Sequence, residues 1–238
     1  MSVDAILDII LSLIAVFMAI VFHEVAHGYI AARLGDPTAK NAGRLSLNPL
    51  SHVDPVGTVF LPLMLGILQL VVPTARPIMF GWAKPVPVNP SYFKNPLRGM
   101  LFVALAGPGT NLVLAGVATL LGRIVFLAFP DLGVSLAVGD GFAVNALRAV
   151  FYILGMFVIY CVILAAFNML PVPPLDGSRV LTYFLPASGR QFMLSLERYG
   201  FLVLILVILV GGLDFLFSGI APFYQWLLGR DWLIAMFY

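Results

Sequence analysis

Charged residues are scarce in this chain. Asp, Glu, Lys and Arg make up 10% of its 238 residues, and 61% of the residues are hydrophobic. A soluble domain would have about 25% charged residues, so the composition excludes an ordinary soluble protein and predicts a polytopic membrane protein. No polar stretch approaches the roughly 50 residues that a separate soluble domain needs. The net charge of +2 is too small to indicate nucleic-acid binding.

Cysteine and histidine are also rare. The single cysteine, Cys161, excludes an internal disulfide bond and a zinc site built from thiolates. The only histidines are His23, His27 and His52. Any metal site in this chain therefore has to combine a few imidazoles with carboxylates.

Long apolar segments predict an all-α fold with about four to six transmembrane helices. The clearest candidates are Val3–Leu34, Gly99–Phe129, Val144–Leu170 and Phe201–Phe217. The second could be interrupted near Gly107-Pro108-Gly109. We expect one domain over residues 1–238, with its core over about 1–185.

Residues 200–238 are predicted to form a C-terminal helix and an interfacial tail. Trp226 and Trp232 in this tail are typical of the membrane interface.

Between the first and second clear spans lie two ambiguous segments. Val56–Val72 is apolar, but its 17 residues are at the lower limit for a spanning helix. The alternation over residues 84–88, with Pro85 and Pro87, indicates a short extended piece resembling an edge strand. We therefore expect a re-entrant or short β-like segment in this region.

The segment from His23 to His27 carries the chemistry. Two histidines four residues apart lie one turn apart on the same helix face, so both imidazoles could hold one metal ion. Glu24 between them could act as a general base, as in H-E-x-x-H metalloproteases. Ionisable groups at membrane depth are costly, and a functional role is the default interpretation.

A catalytic zinc usually has three protein ligands and one open position. The third ligand could be His52 or a carboxylate. Asp176 is our choice, because it ends a proline-rich stretch after an apolar helix. Non-helical backbone at membrane depth is tolerated only where it is buried in protein or lines a cavity.

Two motifs in this order resemble the site-2 protease family of intramembrane zinc metalloproteases, in its compact prokaryotic branch. They are H-E-x-x-H and the segment Asn168-Met169-Leu170-Pro171-Val172-Pro173-Pro174-Leu175-Asp176-Gly177. Further similarity lies in Leu45-Ser46-Leu47-Asn48-Pro49, His52-Val53-Asp54-Pro55-Val56-Gly57-Thr58, Gly81-Trp82-Ala83-Lys84-Pro85-Val86-Pro87-Val88 and Ala106-Gly107-Pro108-Gly109-Thr110-Asn111. The resemblance runs from about Val21 to Val180.

The resemblance implies a role for each matching residue. His23, His27 and Asp176 would bind one zinc ion per protomer, and Glu24 would activate water. Asn111 and Asn168 match positions that lie close to the active site or contact substrate in this family. Both asparagines could instead hydrogen-bond between helices, a common use of amides in membranes.

A topology argument is consistent with this site. His23 and His27 lie near the end of the first helix, and Asp176 follows the end of the third clear one, so both helices must end on the same side. Val56–Val72 must then dip into the membrane and return, or lie shallowly. Basic residues flank this segment on both sides, which places both flanks in the cytosol by the positive-inside rule. They are Arg33, Lys40, Arg44, Arg76, Lys84, Lys94 and Arg98.

The sequence thus predicts an intramembrane zinc endopeptidase. Its partners would be transmembrane protein substrates and membrane lipid. The resemblance implies an integral protein of a prokaryotic cell membrane, and the basic residues that flank Val56–Val72 place the active site toward the cytosol. The alternative from another class is a metal transporter or sensor that uses the same ligands without hydrolysis.

Overall fold

The computed structural model describes residues 3–60, 64 and 83–237, and regular secondary structure in this part of the chain is entirely helical. In chain order the α-helices are α1 (Val3–Arg33), α2 (Thr38–Asn41), α3 (Pro96–Ala128), α4 (Leu132–Val138), α5 (Phe142–Asn168), α6 (Asp176–Phe184), α7 (Ala187–Glu197), α8 (Gly200–Leu209), α9 (Gly212–Leu228) and α10 (Arg230–Phe237). Of the described helices, α1, α3 and α5 are long and apolar enough to cross a membrane. The all-α prediction is therefore confirmed for the described residues, with 3 candidate spans.

Local sequence signals account for the ends of the long helices. The chain leaves α1 through Gly35, whose φ of 104° is readily adopted only by glycine. The N–H of Asp36 then donates to the carbonyl of Ala31 at 3.0 Å, closing the helix end. At the start of α3, the Asn95 side chain accepts from the N–H of Arg98, and a proline occupies the first helical position.

Two expectations about the helices are wrong. α3 continues through Pro108, so the interruption near Gly107-Pro108-Gly109 does not occur. The segment Phe201–Phe217 is not one continuous helix, because the chain breaks between α8 and α9 at Gly211, which has a φ of 81°. A left-handed glycine stops the helical ladder even where the sequence stays apolar.

The three long helices pack side by side, with α3 antiparallel to the other two. Ser12 of α1 contacts Tyr152 of α5 near one end of the bundle, with their hydroxyls 3.2 Å apart. At the other end, the His27 side chain contacts the main chain of Val103 in α3. α1 and α5 therefore end, and α3 begins, at the same end of the bundle.

The C-terminal helix α10 completes the core. Trp232 is fully buried, and its Nε1–H donates to the carbonyl of Phe151 at 2.9 Å. Glycines leave room for it, since a Cβ at Gly122 of α3 would lie 2.0 Å from the Trp232 ring. Trp232 is thus a core residue and not the interfacial residue that the sequence suggested, whereas Trp226 is exposed. Close helix approach at small residues is typical of membrane bundles.

A polar network joins the loop after α1 to the segment before α3. The fully buried carboxylate of Asp36 accepts from the N–H of Asn89 at 2.6 Å and from the N–H of Thr38 at 2.9 Å. The buried guanidinium of Arg44 donates to the carbonyls of Ser51 and Lys84. These main-chain contacts place the two segments against each other.

The expected β-like strand over residues 84–88 is not formed. Residues 83–89 have no regular secondary structure. Pro85 and Pro87 have no N–H to donate to a ladder, and the N–H of Lys84 donates to the carbonyl of His52 at 2.9 Å. The backbone groups are therefore used by the neighbouring loop.

The expected re-entrant segment Val56–Val72 lies mostly outside the described residues. Its first residues belong to a π-helical turn, Pro55–Phe60. The side chain of Asp54 caps this turn by accepting from the N–H groups of Val56 and Gly57, at 2.9 and 2.7 Å.

Asp36 makes fold stability depend on pH. Burial alone would raise the pKa of its carboxyl. Hydrogen bonds from Thr38 and Asn89 lower the pKa by more than burial raises it, so the pKa lies below its ordinary value. A carboxyl with a depressed folded-state pKa stabilises the fold above its unfolded pKa of about 3.9, and this contribution is lost as the pH falls through the folded-state value. We expect Asp36→Asn to lose about 1–3 kcal/mol at pH 7, because its amide NH₂ would face an N–H donor.

Thermal unfolding in detergent between pH 7 and pH 3 measures this effect. The difference between Asp36→Asn and the unmodified chain should shrink toward acid pH. Asp54→Asn is the matched control, because one oxygen of Asp54 accepts both of its hydrogen bonds and an amide supplies that oxygen. Equal midpoints for Asp36→Asn and the unmodified chain at pH 7 would contradict the role assigned to Asp36.

Candidate metal centre

His23 and His27 lie one turn apart near the C-terminal end of α1, with ring centroids 4.6 Å apart. Both are almost fully buried, with 5% and 8% of their surface exposed. The Nε2 atom of each ring lies 3.2 Å from Oδ2 of Asp176. The structure therefore brings Asp176, the third residue predicted from the sequence, into contact with both members of the predicted His23–His27 pair.

Asp176 reaches the histidines because the chain after α5 turns tightly. Gly177 packs against the preceding turn so closely that a Cβ would lie 2.2 Å from the carbonyl oxygen of Met169. A carboxylate at this position offers oxygen atoms to the two imidazoles, and the deprotonated carboxylate is the form that binds a metal ion.

The three side chains fit a zinc ion by geometry and by chemistry. Their nearest donor atoms all lie within 4.8 Å of one another. Zinc bonds of about 2.0–2.1 Å in a tetrahedron give ligand separations of about 3.3 Å, close to the two distances of 3.2 Å observed here. In addition, Nδ1 of His27 lies 2.7 Å from the carbonyl of Val103. A proton on Nδ1 that donates to this carbonyl leaves Nε2 free to bind a metal.

Gly107 of α3 forms the wall behind the two imidazoles. A Cβ at this position would lie 2.5 Å from Nε2 of His27 and 2.6 Å from Nε2 of His23. Only a residue without a side chain therefore fits here. The sequence alone allows either a kink or a close-packing site at this glycine, and only the packing of α3 against α1 reveals that it faces the Nε2 atoms of the two histidines.

Glu24 lies on the wall of a cavity of about 240 Å³ next to the histidines. Its Oε2 accepts a hydrogen bond from the main-chain N–H of Val86 at 2.8 Å. The cavity is also lined by His23, His27, Asp176, Asn168, Pro174 and Arg179. The contact with Val86 and the presence of Arg179 were not predicted, because neither belongs to a spacing pattern in the sequence.

The two asparagines have different positions. Asn168 lines the cavity, and its Nδ2 donates to the carbonyl of Leu164 at 3.0 Å. Asn111 is fully buried in α3, with Nδ2 3.4 Å from Nδ1 of His23. His52 is not part of the cluster, since it is buried in the loop with its Nε2 2.8 Å from the carbonyl of Ser46.

Comparisons with known proteins identify a family and several relatives of this chain. The sequence model of peptidase family M50 matches residues 11–211. A Bacillus subtilis protein named "Putative zinc metalloprotease YwhC" is 34% identical over 194 residues, which are 82% of this chain and 78% of YwhC.

Two proteins that carry the same description under the name Rip2 are more distant. The protein from Mycolicibacterium smegmatis is 27% identical over 83% of this chain and 66% of its own length. The protein from Mycobacterium tuberculosis is 24% identical over 85% of this chain and 68% of its own length. No solved structure gives a significant match. None of these findings supports the transporter alternative.

Gly107→Ala should disturb the imidazole pair, because the added methyl group would overlap both Nε2 atoms. Overpacking of this kind costs about 1–3 kcal/mol, so we expect zinc affinity to fall about 10- to 100-fold. Gly109→Ala is the matched control in the same helix, since nothing lies within 4 Å of a Cβ there. Competition with a zinc chelator measures both variants. Equal affinities in the two would contradict the packing of Gly107 against the histidines.

Proposed function

This chain belongs to peptidase family M50 and is an intramembrane zinc metalloprotease, and we propose that His23, His27 and Asp176 bind its zinc ion and that Glu24 is its general base. The observation that carries this proposal is the convergence of two Nε2 atoms on one carboxylate oxygen, each at 3.2 Å. Two imidazoles and a carboxylate are a common ligand set of catalytic zinc.

Bound zinc supplies Lewis-acid chemistry, polarising a carbonyl oxygen and making water more acidic. The protein supplies the base. One oxygen of Glu24 is held by the N–H of Val86 at 2.8 Å, which fixes the carboxylate and leaves its other oxygen to accept the proton of the attacking water. Glu24 would then pass this proton to the leaving amine, as a general acid–base catalyst does.

The substrates we propose are transmembrane segments of other membrane proteins, unwound where they are cleaved. A helix hides its peptide bonds from a catalytic group, so the bond must be presented in extended form. Two non-helical stretches flank the cavity and contribute Pro85, Val86, Val88 and Pro174 to its wall. Backbone pairing with an extended substrate is one way to hold it. Because prolines cannot donate, a substrate would find no N–H donor at Pro85 or Pro87.

We further propose that Val56–Val72 dips into the membrane and returns, or lies shallowly, so that both of its flanks lie on one side, and that this side is the cytosol. The contacts of Asp36 with Asn89 and of His52 with Lys84 support this, because they join the two flanks of the segment. Basic residues on both flanks favour the cytosolic side. The active site would then lie toward the cytosol.

Glu24→Gln tests the mechanism. Glutamine keeps an oxygen that can accept from Val86 N–H, so fold and zinc binding should persist. Without a base, cleavage of a model transmembrane substrate should fall about 10²- to 10⁴-fold. Asp131→Asn is the matched control, because Asp131 is an exposed carboxylate at the other end of the bundle and does not line the cavity. Asp176→Ala should instead lose zinc, which metal analysis of the purified protein detects.

The possible results separate the hypotheses. Unchanged cleavage in Glu24→Gln would refute its role as a base. Full zinc retention in Asp176→Ala would refute the ligand assignment. Metal flux that is the same in the unmodified chain and in Glu24→Gln, with no cleavage by either protein, would favour a transporter.

Cysteine labelling tests the topology. Lys40 and Ser91 are exposed on the two flanks of residues 56–82, and Asp131 is exposed between α3 and α4 at the other end of the bundle. In a Cys161→Ala background, cysteines at positions 40 and 91 should react with impermeant reagent only from the cytosolic side. A cysteine at position 131 should react only from outside. If positions 40 and 91 label from opposite sides, residues 56–82 cross the membrane and the topology is wrong.

A further inference from the structure

One face of α3 supports the outer nitrogens of both imidazoles. Val103, Gly107 and Asn111 recur every four residues and therefore lie on this face. The carbonyl of Val103 contacts Nδ1 of His27 at 2.7 Å, and Gly107 contacts both rings. Asn111 contacts Nδ1 of His23 at 3.4 Å. Each imidazole therefore has its own partner on α3.

The amide of Asn111 is poorly satisfied as it stands. The residue is fully buried, and its Oδ1 has no hydrogen-bond partner. An unpaired buried acceptor is costly, so such a group calls for an explanation. The atom that meets His23 is Nδ2, which can donate but cannot accept.

The chemistry of a metal-binding imidazole requires an acceptor at this point. Nε2 of His23 faces Asp176, so Nε2 is the nitrogen available to zinc. A neutral imidazole that binds through Nε2 carries its proton on Nδ1 and needs an acceptor for it. Half a turn of the amide brings Oδ1 of Asn111 to Nδ1, because the two amide atoms exchange places.

We propose that Asn111 is a positioning residue for the metal centre: its Oδ1 accepts the Nδ1–H of His23 when zinc is bound. This hydrogen bond would hold the His23 ring as the contact between the Val103 carbonyl and Nδ1 holds the His27 ring. Asn111 does not line the cavity, so it acts through His23 and not on the substrate. This inference rests on the proposed zinc site, and it assigns Asn111 to the metal side of the reaction, separate from Asn168.

Two substitutions distinguish an acceptor from a donor. Asn111→Asp keeps the shape and offers only oxygens, so zinc affinity should stay within about threefold of the unmodified chain or rise. Asn111→Leu keeps the volume without an acceptor, and loss of an outer-shell partner typically costs 10- to 100-fold in metal affinity. Thr119→Val is the matched control, since Thr119 is a second buried residue of α3 whose side-chain oxygen lacks a partner. Its zinc affinity should be unchanged.

Chelator competition on the purified full-length chain provides the affinities without any activity assay. Loss of affinity in both Asn111 variants would overturn the acceptor role, and so would full affinity in Asn111→Leu. If the unmodified chain binds no zinc, the proposed metal site itself fails. The failure of this inference and that of the proposed function are therefore distinguishable.

A second measurement does not depend on Asn111→Leu folding. The chain has three histidines, so the imidazole ¹⁵N resonances of the zinc-bound protein can be assigned by correlation with their own backbone resonances, without substituting a zinc ligand. The Nδ1 atom of His23 should carry a proton. The resonance of this proton should move downfield in Asn111→Asp, because a carboxylate is a stronger acceptor than an amide oxygen. It should stay in place in Thr119→Val. An unprotonated Nδ1, or no shift in Asn111→Asp, would overturn the proposal.

Discussion

The meeting of one carboxylate with two imidazoles inside an apolar bundle is the constraint on which the rest of the structure depends. Asp176 lies 3.2 Å from both histidine Nε2 atoms, although 153 residues separate it from His23. Ionisable groups at membrane depth are costly unless they pair or bind an ion. The helices that lead to them, α1 and α5, must therefore end at the same end of the bundle. The chain between α1 and α5 must therefore run along the bundle an odd number of times, and α3 is one such passage.

One helix, α3, both packs against the two imidazoles and offers polar groups to their outer nitrogens. α3 runs antiparallel to the other two and contacts both, and its small residues allow close approach. Gly107 admits the two imidazoles, and Gly122 admits the ring of Trp232. The same helix offers Val103 and Asn111 to the outer imidazole nitrogens. Because one rigid element holds both rings, a shift of α3 would move both ligands together.

The sequence predicted those features that are local. The three long helices follow from uninterrupted apolar runs, and the His23–His27 pair follows from helical periodicity, which needs no knowledge of the fold. The role of Gly107 and the burial of Trp232 depend on which helices touch. The sequence left Gly107 open between a kink and a close-packing site, and it wrongly assigned Trp232 to the membrane interface. The break at Gly211 needs one residue in the left-handed region, which hydropathy does not register. Residues 84–88 alternate like a strand, but their polar groups are used by a loop.

The support of Glu24, the proposed base, is separate from the support of the proposed metal ligands. Glu24 is oriented by the main chain of Val86, which lies outside the long helices. Gly28 lets Val86 approach α1, since a Cβ there would lie 2.7 Å from its side chain. Arg44 and Asp36 hold the residues on either side of Val86 through main-chain hydrogen bonds. In the proposed mechanism, α3 thus fixes where the metal would be bound, and the polar loop fixes where Glu24 would take the proton. Because these supports are different parts of the chain, a change in the loop can reduce catalysis while leaving the metal ligands in place.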